Sequence, residues 1–150
     1  MKKFAFSLER MLNYQTQNLD KEMGILGRFT AARDDLESRA RNMEGTIAGI
    51  RAEMARQESE GTTIFLLKAS FSVLESARNK LKELNEDLEL ARIKVEKQQG
   101  VVLEASREVK KLEKLKENQI EEYRRGEAKE QQETIAEHVA GDFVRRGDSR

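Results

Sequence analysis

Few residues in this chain have side chains that could do chemistry, and their spacing matches no catalytic pattern. His138 is the single histidine and there is no cysteine, so nucleophilic catalysis would have one candidate base and no thiol. A carboxylate-bridged metal site in a helical bundle needs two Glu-x-x-His pairs, but Ile135 stands three positions before His138. The glutamates within residues 83–89 are typical of a solvated helix face. We therefore predict no enzyme activity, no metal site and no cofactor.

Phosphate-binding patterns are also missing from the sequence. There is no Gly-x-x-x-x-Gly-Lys-Ser/Thr loop that would hold a nucleotide. Lysine plus arginine and aspartate plus glutamate both number 28, which gives a net charge of zero. Nucleic-acid binders usually carry a basic excess, because contacts to phosphates supply most of their affinity. The sequence therefore predicts no nucleic-acid partner.

The elements that must position any functional residue are two long helices, predicted from an apolar repeat with alternating steps of four and three residues. The first arm of the repeat comprises Leu8, Leu12, Gln15, Leu19, Glu22, Leu26, Phe29, Arg33, Leu36, Ala40, Met43, Ile47, Ile50 and Met54. The second arm comprises Leu67, Ser70, Leu74, Ala77, Leu81, Leu84, Leu88, Ala91, Val95, Gln98, Val102, Ala105, Val109, Leu112, Lys116, Gln119 and Tyr123. A mean step of about 3.5 residues keeps such a seam facing a partner helix in a left-handed supercoil.

A single break separates the two arms. At residues 58–63, Gly61 can adopt a positive φ, and Thr62 or Thr63 can cap the following helix. A loop this short makes the two helices antiparallel neighbours, so contacting residues should have numbers that add up to roughly 121, as Met54 and Leu67 do. Pairing of the seams between two chains is the alternative arrangement.

The predicted fold is all-α, a single domain formed by one long two-helix antiparallel coiled-coil hairpin. Helix 1 is expected over about residues 4–58, the turn over 59–63 and helix 2 over about residues 64–138. Helix 2 would overhang helix 1, so residues from Lys116 onward would lack an intramolecular partner. Gly141, Gly147 and the polar residues after Arg145 predict a disordered tail over residues 141–150.

The sequence also bears on where the protein works. Glu9 and Arg10 interrupt the apolar residues of the amino terminus too early for a signal peptide. No stretch approaches the roughly 20 apolar residues of a membrane span, and the lack of cysteine suits a reducing compartment. The neutral charge and the absence of tryptophan disfavour a membrane-surface helix. We expect a soluble cytoplasmic protein without membrane insertion.

Two apolar clusters exceed what a hairpin needs. Beside the turn, the repeat leaves Ile64, Phe65, Leu66, Phe71 and Val73 off the seam or at its edge, which predicts an exposed patch of the kind that marks an interface. Packing around the loop or against a second copy is the alternative. At the termini, aromatic and apolar residues of both arms should meet and offer a second docking site: Phe4, Phe6, Met11, Leu12, Leu115, Ile120 and Tyr123.

Taken together, these features resemble the FliJ family of coiled-coil proteins in flagellar type III export. The opening Phe4-x-Phe6-x-Leu8-x-x-x-Leu12 is similar to the amino-terminal pattern of that family. The run Val109-Lys-Lys-Leu-Glu-Lys-Leu-Lys116, followed by Tyr123-Arg-Arg-Gly-Glu127-Ala-Lys-Glu130, resembles its carboxy-terminal signature, with Ala128 where the family tends to carry Gln. The resemblance covers about residues 4–138.

The resemblance implies a stalk similar to the coiled coil of the rotary ATP synthase gamma subunit. Its terminal end, with Phe4, Phe6, Leu115 and Tyr123, would enter the hexameric export ATPase and promote assembly of the ring. The part near the turn would reach the membrane export-gate subunit, and the positions that fit this contact are Phe71, Leu74, Ala77 and Arg78. Phe65, in the apolar patch beside the turn, is a further candidate for partner binding. Export chaperones are implied as further partners, and the protein would sit at the cytoplasmic face of the membrane apparatus.

Two other functions stay open from the sequence. The chain could be a general coiled-coil tether that pairs with other copies, or a chaperone that holds apolar segments against residues 64–74. The corresponding protein of a virulence secretion system is a close variant of the stalk, and the sequence does not separate the two.

Overall fold

The protein folds as two long antiparallel α-helices, as the repeat predicts. The structure is a computed structural model that describes residues 2–148. Helix α1 spans Glu9–Glu60 and helix α2 spans Ile64–Asp148, with no strand in this part of the chain. The predicted all-α coiled-coil hairpin is confirmed.

The turn between the helices has the predicted chemistry. Gly61 is the residue with a positive φ, at 88°, a conformation that glycine adopts without a Cβ clash. Thr63 caps α2: its Oγ1 accepts a hydrogen bond from the Leu66 amide at 3.2 Å, and its carbonyl accepts one from the Leu67 amide at 3.1 Å. Such a cap stabilises a helix by about 1 kcal/mol.

The helix bounds differ from the predicted ones at both termini. Residues 2–8 are not helical, and α1 begins only at Glu9, whose amide donates to the Phe6 carbonyl at 3.1 Å. Helix α2 continues through Asp148, past residue 138 and through Gly141, where the sequence predicted a disordered tail. Residues 149 and 150 of that tail lie outside the described part of the chain.

The extension of α2 has a physical cause in the sequence. Gly141 and Gly147 each cost about 1 kcal/mol relative to alanine, whereas only proline removes a helical hydrogen bond outright. His138 Nε2 lies 3.7 Å from the Asp142 carboxylate one turn on, and Arg145 and Arg146 occupy the last turn, where positive charge interacts favourably with the helix dipole.

The core follows the predicted seam. Among residues 2–148 every buried residue except Phe6 occupies a position of the apolar repeat. The buried seam residues are Leu12, Ala40, Ile47, Met54, Leu74, Leu84, Leu88, Val95, Gln98, Ala105, Val109 and Leu112. The core is therefore a stripe along the facing sides of the two helices, which is the packing expected of a coiled coil.

Contacts divide the chain into two compact units. The terminal unit consists of Met1–Leu19 and Glu104–Arg150, and the turn unit of Asp20–Leu103. In the turn unit, Ser70 bonds to Gln57 at 3.2 Å and Arg92 lies 3.5 Å from Glu37. Position numbers thus rise on α2 as they fall on α1, which is the antiparallel order.

Candidate functional site

The apolar side chains that follow the turn are exposed, as their position off the seam predicts. We call Ile64, Phe65, Leu66, Phe71 and Val73 the turn surface. Phe65 is 80% exposed and Ile64 74%, and the other three are each at least half exposed. Ile64 and Phe65 are thus not packed around the loop within the described residues. Large apolar side chains left exposed within one short segment are typical of interaction sites.

The turn surface has two sides. Leu66 and Val73 line a groove between the two helices with Gly49 and Ile50, of about 500 Å³. Phe71 is not part of this groove, because at about 100° per residue it lies on the opposite flank of α2 from Val73. A Cβ built on Gly49 would meet no atom within 4 Å, so the groove is open at that wall.

The remaining predicted contact residues near the turn fall into different environments. Arg78 is exposed and Ala77 is half-buried, so both reach the surface. Leu74 is only 6% exposed and forms a core cluster with Ile47 and Met54. The prediction of Leu74 as a partner contact therefore needs correction, because a side chain on the seam faces the opposing helix and cannot reach a partner directly.

Phe6 anchors the amino-terminal residues in the terminal unit. It is 8% exposed and forms a core cluster with Leu12, Val109 and Leu112. Phe4 and Leu8 pack against the same cluster. Phe6, which the sequence placed among the partner contacts, is therefore core, because the non-helical chain before Glu9 turns its side chain onto α2.

Tyr123, further along α2, also holds the amino-terminal residues against this helix. Its hydroxyl donates a 2.6 Å hydrogen bond to the Lys2 carbonyl, and its ring meets Phe4 edge-on with centroids 5.6 Å apart. Both rings are half-buried and Leu115 is 40% exposed. We call Phe4, Leu115 and Tyr123 the terminal surface, since these three of the four predicted side chains stay accessible.

Helix α2 overhangs α1, as predicted, but the overhang begins after Tyr123 and not at Lys116. Lys116 Nζ bonds to the Glu9 carboxylate at 2.9 and 3.1 Å, and Tyr123 reaches Lys2 as described. Helical side chains lean toward the amino terminus of their own helix. The long side chains of Lys116 and Tyr123 therefore contact residues of α1, and of the segment before it, that lie opposite earlier positions of α2. The intramolecular pairing of α2 consequently extends to Tyr123.

Sequence reasoning missed a set of exposed apolar side chains in the last turns of α2. Ile135, Val139, Phe143 and Val144 are between 61% and 81% exposed. They were missed because the end of the chain was predicted to be a disordered tail. The signal that would have found them is the spacing of four residues that joins Ile135, Val139 and Phe143 on one helix face.

The electrostatics beside the turn centre on Arg56. Its guanidinium bonds to Glu53 on one side and to the Glu60 carboxylate at 2.8 Å on the other. The hydrogen bond from Arg56 lowers the pKa of Glu53, and the same bond raises the pKa of Arg56. The single positive charge of Arg56 therefore offsets only part of the negative charge of Glu53 and Glu60 at the end of α1.

Nothing in the described residues indicates a catalytic or metal centre. Within residues 2–148 no three His, Asp or Glu side chains are grouped so as to hold a metal ion, and the His138 side chain is 79% exposed. Over the same residues, neither helix carries an apolar run that would traverse a bilayer. The candidate functional sites are the two surfaces.

Comparison with known proteins gives one match. The family model described as "Flagellar FliJ protein" matches residues 4–148, nearly the whole chain. No curated protein and no solved structure matches it. The match extends ten residues beyond the part of the sequence that carried the resemblance, and these residues belong to the last turns of α2.

Proposed function

This chain belongs to the FliJ family of flagellar proteins, and from that membership we propose that it is a stalk of the flagellar type III export apparatus. The family has a role in flagellar protein export. In the proposed role the chain catalyses nothing itself. It inserts into the hexameric export ATPase, promotes assembly of the ring and couples the ring to the membrane export gate.

The observation that carries this proposal is the contrast between a seam-packed coiled coil and an apolar turn surface. The seam uses the buried residues of both helices, yet Phe65 and Phe71 are 80% and 53% exposed. Leaving such side chains in water has no benefit for folding, since burial of each would stabilise by about 1.5–3 kcal/mol. Their exposure is accounted for if a protein partner covers them.

The terminal unit is proposed to bind the ATPase. Phe6 in the core, the Lys116–Glu9 ion pair and the Tyr123–Lys2 hydrogen bond hold residues 2–8 against α2. This arrangement fixes the terminal surface before binding, which reduces the entropy lost when a partner is engaged. A pre-formed surface suits repeated contact with equivalent subunits of a ring.

The turn unit is proposed to bind the export gate through Phe71 and Arg78. Both side chains are exposed and lie on the same flank of α2, since residues seven positions apart are about two helical turns apart. Phenylalanine and arginine are both enriched at protein–protein interfaces.

A second candidate function is escort of export chaperones or of apolar export segments. The groove beside Leu66 and Val73, of about 500 Å³, favours it, since an apolar helix or extended segment could lie between the two arms. With these partners, the protein would sit at the cytoplasmic face of the export apparatus, associated with it but not inserted in the membrane.

The proposal is tested by steady-state turnover of the purified export ATPase at concentrations where its ring is only partly assembled. Adding the full chain should raise both the turnover and the hexamer fraction. A matched control is a chain carrying Phe65→Ser and Phe71→Ser, which should still stimulate the ATPase but should lose binding to the purified cytoplasmic domain of the gate. A folded wild-type chain that leaves turnover and assembly unchanged contradicts the stalk function.

A further inference from the structure

A second groove between the two helices lies in the middle of the turn unit. Phe29, Ala32 and Leu36 of α1 line it together with Leu90 and Ala91 of α2, and its volume is about 450 Å³. Leu90 is 61% exposed although it is large and apolar. The turn surface and the terminal surface include none of these residues. The groove is therefore a further exposed apolar region, of the kind that marks an interaction site.

The charged side chains around Leu90 on α2 are arranged symmetrically and with opposite sign. Asp87 and Lys94 also line the groove, three positions before Leu90 and four positions after it. Glu83 and Lys97 lie seven positions before and seven positions after Leu90, which places each of them within about 20° of it around the helix. On this flank, α2 is thus acidic before Leu90 and basic after it.

Helix α1 has the same arrangement around Ala32. Arg28 and Asp35 are exposed, four positions before Ala32 and three after it, and both lie within about 60° of it around the helix. Because the helices are antiparallel, Arg28 lies at about the same height along the hairpin as Lys94. Asp35 lies at about the height of Asp87 for the same reason. The groove therefore has one basic end and one acidic end, with its apolar residues between them.

These charges are little used within one chain. Arg28, Asp87 and Lys94 form no ion pair with another residue of the described part of the chain. Asp35 and Glu83 each contact one basic side chain of their own helix, at 3.9 and 3.8 Å. Those two basic side chains, Arg39 and Lys80, lie further from the centre of the groove. The charges beside the groove are thus available to a partner.

The pattern is complementary to itself when a second copy of the chain runs in the opposite direction. A twofold axis that passes both helices at the centre of the groove brings each helix against the same helix of the other copy, as in an isologous interface. Asp87 of each copy then faces Lys94 of the other. Arg28 of each copy faces Asp35 of the other in the same way. One axis satisfies the charges of both helices.

Other occupants fit the charges less well. A second copy in the parallel orientation would place α1 against α2 at equal height, so Arg28 would face Lys94 and Asp35 would face Asp87, and like charges are unfavourable at an interface. A helix with charges of one sign would be attracted to one end of the groove and repelled by the other. An anionic lipid surface would be repelled by the acidic end.

We propose that two copies of the chain associate through this groove as an antiparallel dimer, with the twofold axis beside Ala32 and Leu90. The seam stays within each hairpin, and the contact adds only the exposed flank. Residues 83–97 span about 21 Å of α2, which is short for a permanent interface, so the dimer is weak and reversible. The inference goes beyond the proposed stalk function and does not rest on it.

The association is tested by sedimentation equilibrium of the purified full chain at about 1 µM to about 1 mM, the range in which weak complexes form. The wild-type chain should pass from monomer to dimer. Leu90→Gln removes the central apolar side chain and should weaken dimerisation at least about tenfold. The matched control Leu103→Gln alters a side chain that is 53% exposed and about 140° away around α2, and should stay within about twofold of wild type. Circular dichroism should show equal helicity for all three proteins.

Exchange of two charges tests the alignment. Asp87→Lys alone and Lys94→Asp alone each bring like charges together across the axis and should weaken dimerisation at least about tenfold. An equimolar mixture of the two variants restores opposite charges at both contacts, and should form a heterodimer within about threefold of the wild-type affinity.

A disulfide tests the position of the axis, because the chain contains no cysteine of its own. Ala32→Cys places a thiol beside the axis and should give a disulfide-linked dimer on mild oxidation, since the two copies of this position approach each other. Ala48→Cys is the control. Ala48 is also exposed but lies about 160° from Ala32 around α1, so its thiol should not cross-link.

Three results would overturn the inference. A wild-type chain that stays monomeric up to about 1 mM leaves the groove to a helix of another protein. A dimer that Leu90→Gln does not weaken has its interface elsewhere. Failure of the mixed charge variants to associate excludes the antiparallel alignment. None of these results bears on stimulation of the export ATPase, so the stalk function is tested separately.

Discussion

Gln98 on α2 donates a hydrogen bond from Nε2 to the main-chain carbonyl of Glu22 on α1 at 3.0 Å, and a second one to the Glu22 carboxylate. Gln98 is the one buried polar residue among those that the structure describes, and it occupies a seam position between Val95 and Val102. Both bonds exist in only one alignment of the two helices, so this pair specifies register, as buried polar residues do in other coiled coils.

Replacing Gln98 should separate register from stability. Gln98→Ala removes both hydrogen bonds and leaves a void, so we expect the free energy of unfolding to fall by about 1–3 kcal/mol. Gln98→Leu fills the site with an apolar side chain and should cost less than about 1 kcal/mol, or stabilise. Urea unfolding gives both values. A loss for Gln98→Leu as large as that for Gln98→Ala would show that the hydrogen bonds, and not the packing, dominate.

The alignment of the two helices in the Gln98→Leu variant is measured separately. The paired substitutions Gln57→Cys and Ser70→Cys would report the native alignment, because Gln57 and Ser70 are in hydrogen-bond contact. We expect slower or incomplete disulfide formation when Gln98→Leu is added to this pair than when Gln98 is kept, since alternative alignments become accessible. Identical rates and yields would mean that the turn alone fixes the register.

Tyr123→Phe should loosen the amino-terminal residues without unfolding the helices. The change removes the 2.6 Å bond to the Lys2 carbonyl and keeps the ring contact with Phe4. A net loss of about 0.5–1.5 kcal/mol corresponds to exchange of the amides at residues 4–9 that is about two- to tenfold faster. Hydrogen exchange measures this, and amides in the middle of α2 serve as the internal control. Unchanged exchange at residues 4–9 would show that Phe6 alone holds the segment.

Substitution of Leu74 should lower the stability of the fold, whereas substitution of Phe71, three positions away, should affect binding and not stability. Leu74→Ala opens a cavity beside Ile47 and Met54 and should cost about 2–4 kcal/mol. Phe71→Ala alters an exposed side chain and should change the unfolding free energy by less than about 0.5 kcal/mol. Urea unfolding distinguishes the two, and binding to the gate domain should be lost in Phe71→Ala. Equal destabilisation would place Phe71 in the core.

Much of the fold could be predicted because the repeat is a direct record of which side chains are buried. Leu84, Leu88 and Val95 are at repeat positions, and they are among the most buried residues. The turn was predictable for a similar reason: Gly61 and Thr63 each have one local function that the sequence displays. These are properties of one helix facing another, and periodicity is sufficient to find them.

Periodicity could not predict what happens where helical pairing stops. Phe6 is buried because residues 2–8 leave the helix and turn it onto α2, and a repeat counted along a helix contains no such information. The hydrogen-bond partner of Gln98 could not be predicted either, since a polar residue on a seam can be an unpaired interruption of the apolar repeat or one member of a hydrogen-bonded pair. The long reach of Lys116 and Tyr123 depends on side-chain length and lean, which a count of positions ignores.

Acid should weaken the end of α1 through Glu53. The hydrogen bond from Arg56 lowers the pKa of Glu53 below its ordinary value of 4.5. A group whose pKa is lower in the folded state stabilises the fold above the unfolded pKa, and this stabilisation is lost as pH falls through the folded value. In Arg56→Gln the pKa of Glu53 should therefore return toward 4.5, as carboxyl-carbon NMR titration can show. The stability difference between wild type and Arg56→Gln should be present at neutral pH and shrink below pH 4.5.

The control Glu60→Gln removes the other partner of Arg56 and should leave the Glu53 pKa low. A Glu53 titration that is identical in wild type and Arg56→Gln would mean that the ion pair does not persist in solution.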